Sequence, residues 1–407
     1  MPFKETNAMD ETVRFVAEYL SRTVSMSELC RRFGISRQWG YELVHRYQAE
    51  GLAGLEPRSR APLGPGRSMP SDVADAIIAL RRREPTWGPK KLKKILETDS
   101  PHVVWPARSS IGDLLRREGL VVTRRRKRHP IPISRPFAPV LAPNDLWCID
   151  FKGWFRTGDA ERCDPLTLSD ADSRFLLACR AVEPTTQGVD QVTDRTFREY
   201  GLPAGMRSDN GAPFAGTGAG GLSRLAVKWI KLGIRLERTD PASPEQNGRH
   251  ERMHGTLKAE TARPPAASLA AQQLSFDHFR HKYNHVRPHE ALDLDTPASR
   301  YRPSTRAYPE RPLEPDYDDS HATRRVRSNG EIKWGGDLVF ISEVLVGEPV
   351  GVAETETGDW IVRFFDYDLG LIDRRTGKLR PFAAPRPGGV PRTHERNRNS
   401  VNDVSGP

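Results

Sequence analysis

The residues from Thr239 to Leu257, read on to Lys258 as TDPASPEQNGRHERMHGTLK, constrain this chain more than any other stretch. Pro241 and Pro244 stop a helix upstream, because proline has no N–H to donate and its ring clashes with the preceding turn. Asn247 and Gly248 permit a tight turn, and from about Arg249 the spacing predicts a helix. Met253 and Leu257, four apart, share one face, while Glu251, His254 and Lys258 line another. Glu251 then stands as one carboxylate amid Arg249, His250 and Arg252. Taken alone, such a helix reads as a solvated charged element. Two further acids change that reading. LWCIDFKGWF carries Asp150 inside an apolar, aromatic run of strand character. GMRSDNGAPF sets Asp209 directly before the turn signal Asn210-Gly211. Acids at strand ends lie where open α/β sheets bind ligands.

The 407 residues carry 63 Lys and Arg against 53 Asp and Glu, a net charge of +10. That excess favours a polyanionic partner through phosphate neutralisation, without separating nucleic acid from a membrane surface. No run approaches a membrane span and the first residues, MPFKETNAMDE, have no apolar signal core, so no membrane association is expected. Cys30, Cys148, Cys163 and Cys179 lack metal-type spacing and read as free thiols of a reducing cytoplasm.

Residues 1–56 read as three short helices, at 11–22, about 27–33 and 37–49. Gly34 suits the sharp turn and Ser36 the cap of the third. This is a helix-turn-helix layout, with Arg37, Gln38 and Tyr41 as candidate base readers; the bland alternative is a three-helix bundle with no DNA role. A Gly/Pro/Arg/Ser-rich linker follows at 57–70. Residues 71–122 predict a second helix-turn-helix-like domain, less regular because the connection 98–107 is long. The linker 123–142 opens with TRRRKRH, where Arg124, Arg125 and Arg126 are candidate phosphate contacts or simply a solvated like-charge block. Residues 143–305 read as strands first and helices after. From 320 to 385, short β-rich runs separated by Gly-containing turns predict a small barrel or open sandwich. Residues 386–407 read as a disordered tail.

The strings WCIDFKGWF, RSDNGAPF, QNGRHERMHGTLKAE and YNHVRPHEAL resemble the catalytic core of DDE transposases and retroviral-type integrases, specifically single-frame bacterial insertion-sequence transposases. The likeness runs in weaker form over nearly the whole chain. It implies helix-turn-helix modules, an α/β ribonuclease-H-like core and a small all-β C-terminal domain. It also implies Asp150, Asp209 and Glu251 as catalytic, metal-holding acids. The expected cofactor is Mg²⁺ or Mn²⁺, two per active site, since hard cations take carboxylate oxygens and two ions roughly 4 Å apart serve both attacking and leaving oxygens. Asp150 would bridge the ions, with Asp209 and Glu251 completing one shell each. Asn247, Arg249 and Lys258 become candidate DNA contacts near the scissile phosphate, Lys258 lying about two helical turns past Glu251. The implied partners are double-stranded DNA, both element ends and target, and further copies of the chain, because one triad per chain cannot join two ends. The expected place is the bacterial cytoplasm, on the nucleoid when bound.

Glu245 rivals Glu251 as the third acid. It lies 245 − 209 = 36 positions after Asp209, close to the family spacing, whereas Glu251 lies 251 − 209 = 42 after it. The glycine-rich run AGTGAGG at 215–221 reads as a loop insertion that lengthens the interval, and the placement of Glu251 three residues after Gly248 fits the family motif. Asp170 and Asp172 read as turn-forming acids between strands. The six histidines between His250 and His289 read as solvated or DNA-facing rather than as zinc ligands. The competing function is a domesticated sequence-specific DNA-binding regulator whose core is an inactive scaffold; a pure regulator has no reason to keep three acids.

Overall fold

The computed structural model describes residues 8–57, 69–121, 139–239 and 248–387. Arg124 to Arg126, Glu245, Asn247 and the side chain of Arg249 lie outside the described residues, as do most of the two linkers and the C-terminal tail. The chain divides into two compact units, Met1–Pro70 and Ser71–Pro407.

The first unit packs α1 (Ala8–Leu20), α2 (Met26–Phe33) and α3 (Arg37–Glu50) around Phe15, Val16, Leu29, Cys30, Leu43 and Val44. The hydroxyls of Ser25 and Ser36 accept from the backbone N–H of Glu28 and Trp39, satisfying the open donors at the starts of α2 and α3. Gly34 ends α2 at φ 66°, a left-handed conformation that a side chain would strain. Gly40 sets the approach of α3: a Cβ there would stand 2.7 Å from Cys30 Sγ. With Gly40, Leu43 and Val44 turned inward, Arg37, Gln38 and Tyr41 occupy the exposed face of α3.

The second unit begins with α4 (Ser71–Arg83), α5 (Pro89–Asp99) and α6 (Arg108–Arg117), which bury Ile77, Trp87, Leu92 and Ile111. Next come β1 (Trp147–Phe151), the short hairpin of β2 (Phe155–Arg156) and β3 (Arg162–Cys163), β4 (Pro165–Asp170) and β5 (Leu176–Ala181). They are followed by α7 (Thr186–Tyr200), β6 (Gly205–Ser208), α8 (Arg224–Lys231), β7 (Arg235–Arg238), α9 (Gly248–Thr261), α10 (Leu269–His285) and α11 (Pro297–Arg300). The sheet order is β5-β4-β1-β6-β7, with β4 antiparallel to both its neighbours and β6 and β7 running parallel to β1. This is the ribonuclease-H-like arrangement. Side chains alternate across a strand, so Trp147 and Ile149 join the cluster with Val189, Phe197 and Trp229 of α7 and α8. On the other face Met253 and Leu257 of α9 pack with Phe276, Phe279 and Tyr283 of α10.

Both edges of this sheet are closed by side chains, which blunts the unpaired ladder that an edge strand otherwise offers. On β5, Asn284 accepts from Leu176 N–H (2.8 Å) and donates to its carbonyl (3.0 Å), and Gln273 does the same for Ala181 N–H and Cys179 C=O. On β7, the N–H of Leu236 donates to Tyr367 Oη at 2.7 Å.

Tyr367 belongs to the all-β C-terminal domain. Its strands are β8 (Ala322–Arg325), β9 (Glu331–Trp334), β10 (Asp337–Phe340), β11 (Pro349–Glu354), β12 (Trp360–Phe364), β13 (Tyr367–Ile372) and β14 (Leu379–Pro387). β9 and β10 form a hairpin, and the others an antiparallel sheet in the order β14-β13-β12-β11-β8. Val350, Val362, Phe364 and Leu369 share one hydrophobic cluster with Leu225 and Leu236 of the core, so the two domains are fused through their interiors. The 215–221 run is part of that junction. Ala215 bridges to Leu222, Gly216 N–H donates to Gly221 C=O, and Ala219 to Gly221 are buried. A Cβ on Gly216 would sit 2.3 Å from the Leu222 carbonyl oxygen. The run is a closed excursion whose ends meet at the Ala215–Leu222 bridge.

Candidate active site

Asp150 is the fourth residue of β1 and Asp209 follows directly on β6. These strands are parallel neighbours with Trp147 opposite Met206 and Cys148 opposite Arg207. Continuing that register brings Asp150 level with Asp209 at the carboxyl ends of adjacent strands, where the fold places ligands. Asp209 is exposed and held by its own turn, its Oδ1 accepting from Gly211 N–H at 3.1 Å. Glu251, also exposed, lies in the first turn of α9. The three acids share one electrostatic neighbourhood. Burial first, then the charge of Asp209 and to a smaller extent that of Glu251, push the Asp150 carboxyl up to about 7. Lys258 is exposed two turns further along α9.

Behind the acids is a buried polar layer that sequence reasoning misplaced. His250 and His254 are only 3% and 5% exposed, so they neither meet solvent nor face DNA. The reason is register. Thr167 pairs with Asp150 across β1 and β4, so both side chains stand on the sheet face that α9 covers. Both imidazole Nε2 atoms lie 2.7 Å from Thr167 Oγ1. That hydroxyl donates to the Asp150 carbonyl at 3.2 Å. Having one proton, it must accept from both rings, which fixes both as Nε2–H tautomers. Ser169 Oγ then donates to His250 Nδ1 at 3.2 Å. Burial holds His250 down at about 4 and His254 at about 2, so both are neutral. Of the three basic residues beside Glu251 in sequence, His250 therefore carries no charge.

His250, Glu251 and His254 spell H-E-x-x-H, the spacing of a zinc-binding helix, and Asp150, His250 and His254 offer ligand atoms within 4.8 Å of one another. Here both Nε2 atoms are already engaged by the Thr167 hydroxyl. The layer supports the Asp150 strand. Thr167→Val removes the shared acceptor and should cost about 1–3 kcal/mol for each stranded N–H, read from urea unfolding. A change under about 0.5 kcal/mol would contradict the tautomer assignment.

Asp170, as its turn-forming reading required, accepts from Asn144 N–H, Ser173 N–H and Ser173 Oγ at 2.6 to 2.7 Å. All four cysteines are buried and free. Among the described residues no helix is long and apolar enough to cross a membrane.

Fold and site thus define a protein with a ribonuclease-H-like integrase core preceded by helix-turn-helix domains. Comparison with known families agrees: residues 232–297 match the integrase core domain, 13–62 a helix-turn-helix domain and 39–115 a homeodomain-like domain. The uncharacterized 31.7 kDa protein of insertion element IS407 from Burkholderia multivorans is 28% identical over 232 residues, covering 56% of this chain and 79% of that protein. The chain is thus similar to an insertion-element protein and combines an integrase core match with helix-turn-helix matches. Solved structures with some likeness include the HTLV-2 integrase catalytic core domain in complex with magnesium, 16% identical with TM-score 0.32 over 40% of this chain and 99% of that one. Another is the simian T-cell lymphotropic virus intasome in complex with PP2A regulatory subunit B56 gamma, 15% identical with TM-score 0.35 over 78% of this chain and 100% of that one. Superpositions this loose carry no argument of their own.

Proposed function

We propose that the chain is a divalent-metal-dependent DNA transposase that binds the ends of its element, cleaves there and transfers the strand into target DNA. The observation that carries this is the neighbourhood of three carboxylates, with half-buried Asp150 pushed up by its burial first and then by Asp209 and, less, by Glu251. Mutually repelling hard oxygen donors at a strand end suit a small divalent cation, which relieves the repulsion. Asp150, Asp209 and Glu251 would hold it. When bound, Mg²⁺ or Mn²⁺ supplies activation of an oxygen nucleophile and stabilisation of the leaving oxygen.

The rest falls to the chain itself. The Thr167 layer holds the Asp150 strand against α9, and the Asp209–Gly211 turn fixes the second acid. Lys258, on the face of α9 that carries Glu251, orients a DNA phosphate. Asn247, Arg249 and the Arg124 to Arg126 block are proposed to add backbone contacts. Since each chain has one set of acids, joining two ends requires at least two copies on DNA. A labelled element end should be cut and joined to a target plasmid in Mg²⁺ and not in EDTA. Binding without either product would favour the regulator reading.

Arg37, Gln38 and Tyr41 on the open face of α3 are proposed to read bases. Arg37→Ala or Gln38→Ala should weaken binding to the element end by about 1–3 kcal/mol while leaving random DNA nearly unaffected, because base contacts specify and phosphate contacts position. Competition gel shifts measure the difference; equal losses on both DNAs would count against the base-reading role.

A further inference from the structure

A cavity of about 500 Å³ opens between the 71–121 helices and the core, beside α9 but lined by none of the three acids. Its walls carry Lys91 from α5, Arg174 from the β4–β5 turn, Arg252 from α9, and Arg287, His289 and Glu290 from the segment after α10. The acids around this junction already have cations. Glu84 pairs with Lys282, Glu260 with Lys282 (3.5 Å) and Arg287 (2.7 Å), and Glu290 with Lys90 (3.0 Å). His289 is held neutral by burial, at about 4, its Nε2–H directed at the Tyr283 carbonyl. Lys91 and Arg252 face the cavity, and among the described residues neither side chain makes an ion pair or hydrogen bond. Burial first, then repulsion from Arg287, hold the Lys91 ammonium down at about 8. Four cations, Lys91, Arg174, Arg252 and Arg287, thus line the half-enclosed space with one carboxylate, Glu290, which also pairs with Lys90, and such an excess of positive charge favours an anion that joins it.

We infer that this cavity is an anion site that takes one backbone phosphate of bound DNA, gripped by Lys91 and Arg252. The inference rests on the DNA reading above and adds a contact apart from the acids. Two features favour a DNA phosphate over an acidic protein segment. Arg252 is the residue next to Glu251, so a strand that reaches Glu251 passes the mouth of the cavity. The chain as a whole is positive by ten charges. Because Lys91 sits on the second helical module and Arg252 on the catalytic helix, one phosphate ties the two together.

The test uses the full chain, with wild type and a Lys91→Met, Arg252→Gln double variant on the same duplex of element end. Loss of one neutralised phosphate should make the plot of log affinity against log salt shallower by about 0.9. Replacing single phosphates by neutral methylphosphonates should reveal one position that weakens wild type and leaves the variant unchanged. Identical salt slopes, or no such position, would overturn the site while leaving the transposase reading intact; failure of wild type to bind DNA at all would overturn both. A second measurement needs no variant. Trinitrobenzenesulfonate should label Lys91 in the wild-type protein, and duplex DNA should block that labelling where polyglutamate does not. Equal protection by polyglutamate would point to an acidic protein partner and overturn the phosphate assignment.

Discussion

Asp150→Asn is expected to abolish DNA cleavage and strand transfer while making the metal-free protein more stable above pH 7. The two effects have one cause. The Asp150 carboxyl, ordinarily at 3.8, is pushed up to about 7 by burial, Asp209 and Glu251. Between those values the folded state holds a proton that the unfolded state has released. Stability therefore falls as pH rises through this window and stays lowered above it. The amide cannot ionise, so the variant escapes a cost on the order of a few kcal/mol. The same substitution removes a hard, charged metal donor, and loss of one electrostatic element at a reacting centre costs about 10²–10³-fold or more in rate. Thermal unfolding in EDTA at pH 5 and pH 8 reads the first effect, with the gap between variant and wild type widening at pH 8. A variant that is less stable than wild type at both pH values would contradict the crowding of the three acids. Added Mg²⁺ should stabilise wild type and leave the variant nearly unmoved.

Trp147→Ala carries the largest expected loss of stability. Trp147 is fully buried three residues before Asp150, stacked on Phe197 at 5.9 Å. Its Nε1–H donates to Asn144 Oδ1 at 3.0 Å, an oxygen that also accepts from Tyr301 Oη at 3.0 Å. Truncation leaves a cavity between β1 and α7 and removes a donor from that pair. Trp→Ala in a packed core costs about 3–5 kcal/mol, and urea unfolding of the 71–407 unit within the full chain measures it. A loss under about 1.5 kcal/mol would mean that β1 is not anchored through this side chain. Since Asp150 rides on the same strand, cleavage should fall in parallel with the folded fraction.

Much of this layout was legible in the residues. Ser36 and Gly34 announced the start of α3 and the turn before it, since capping and left-handed glycine are local effects. Met253 and Leu257 announced the buried side of α9. What escaped was the rest of that side. His250, Met253, His254 and Leu257 fall at i, i+3, i+4 and i+7, a full buried stripe, but a periodicity that counts histidine as polar sees only half of it. The stripe is buried because Thr167 and Ser169 of β4 stand beneath it, and packing of a helix on a strand far back in the sequence leaves no local trace. The same holds for Asn284 and Gln273, polar residues of α10 that close the edge of β5, and for Tyr367, which closes β7 from the C-terminal domain. The glycines of the 215–221 run announced a loop; its docking against the C-terminal sheet left no local signal, because that depends on Leu369 far along the chain.

Spacing along the chain favours Glu245 as the third acid, the helix start favours Glu251, and the choice between them decides the site. Single-turnover cleavage of a labelled element end in Mg²⁺, with Glu245→Gln and Glu251→Gln compared at equal end-binding, tests it directly. The account predicts that Glu245→Gln cuts at close to the wild-type rate while Glu251→Gln leaves the end intact. Cleavage by Glu251→Gln with loss of cleavage in Glu245→Gln would contradict it.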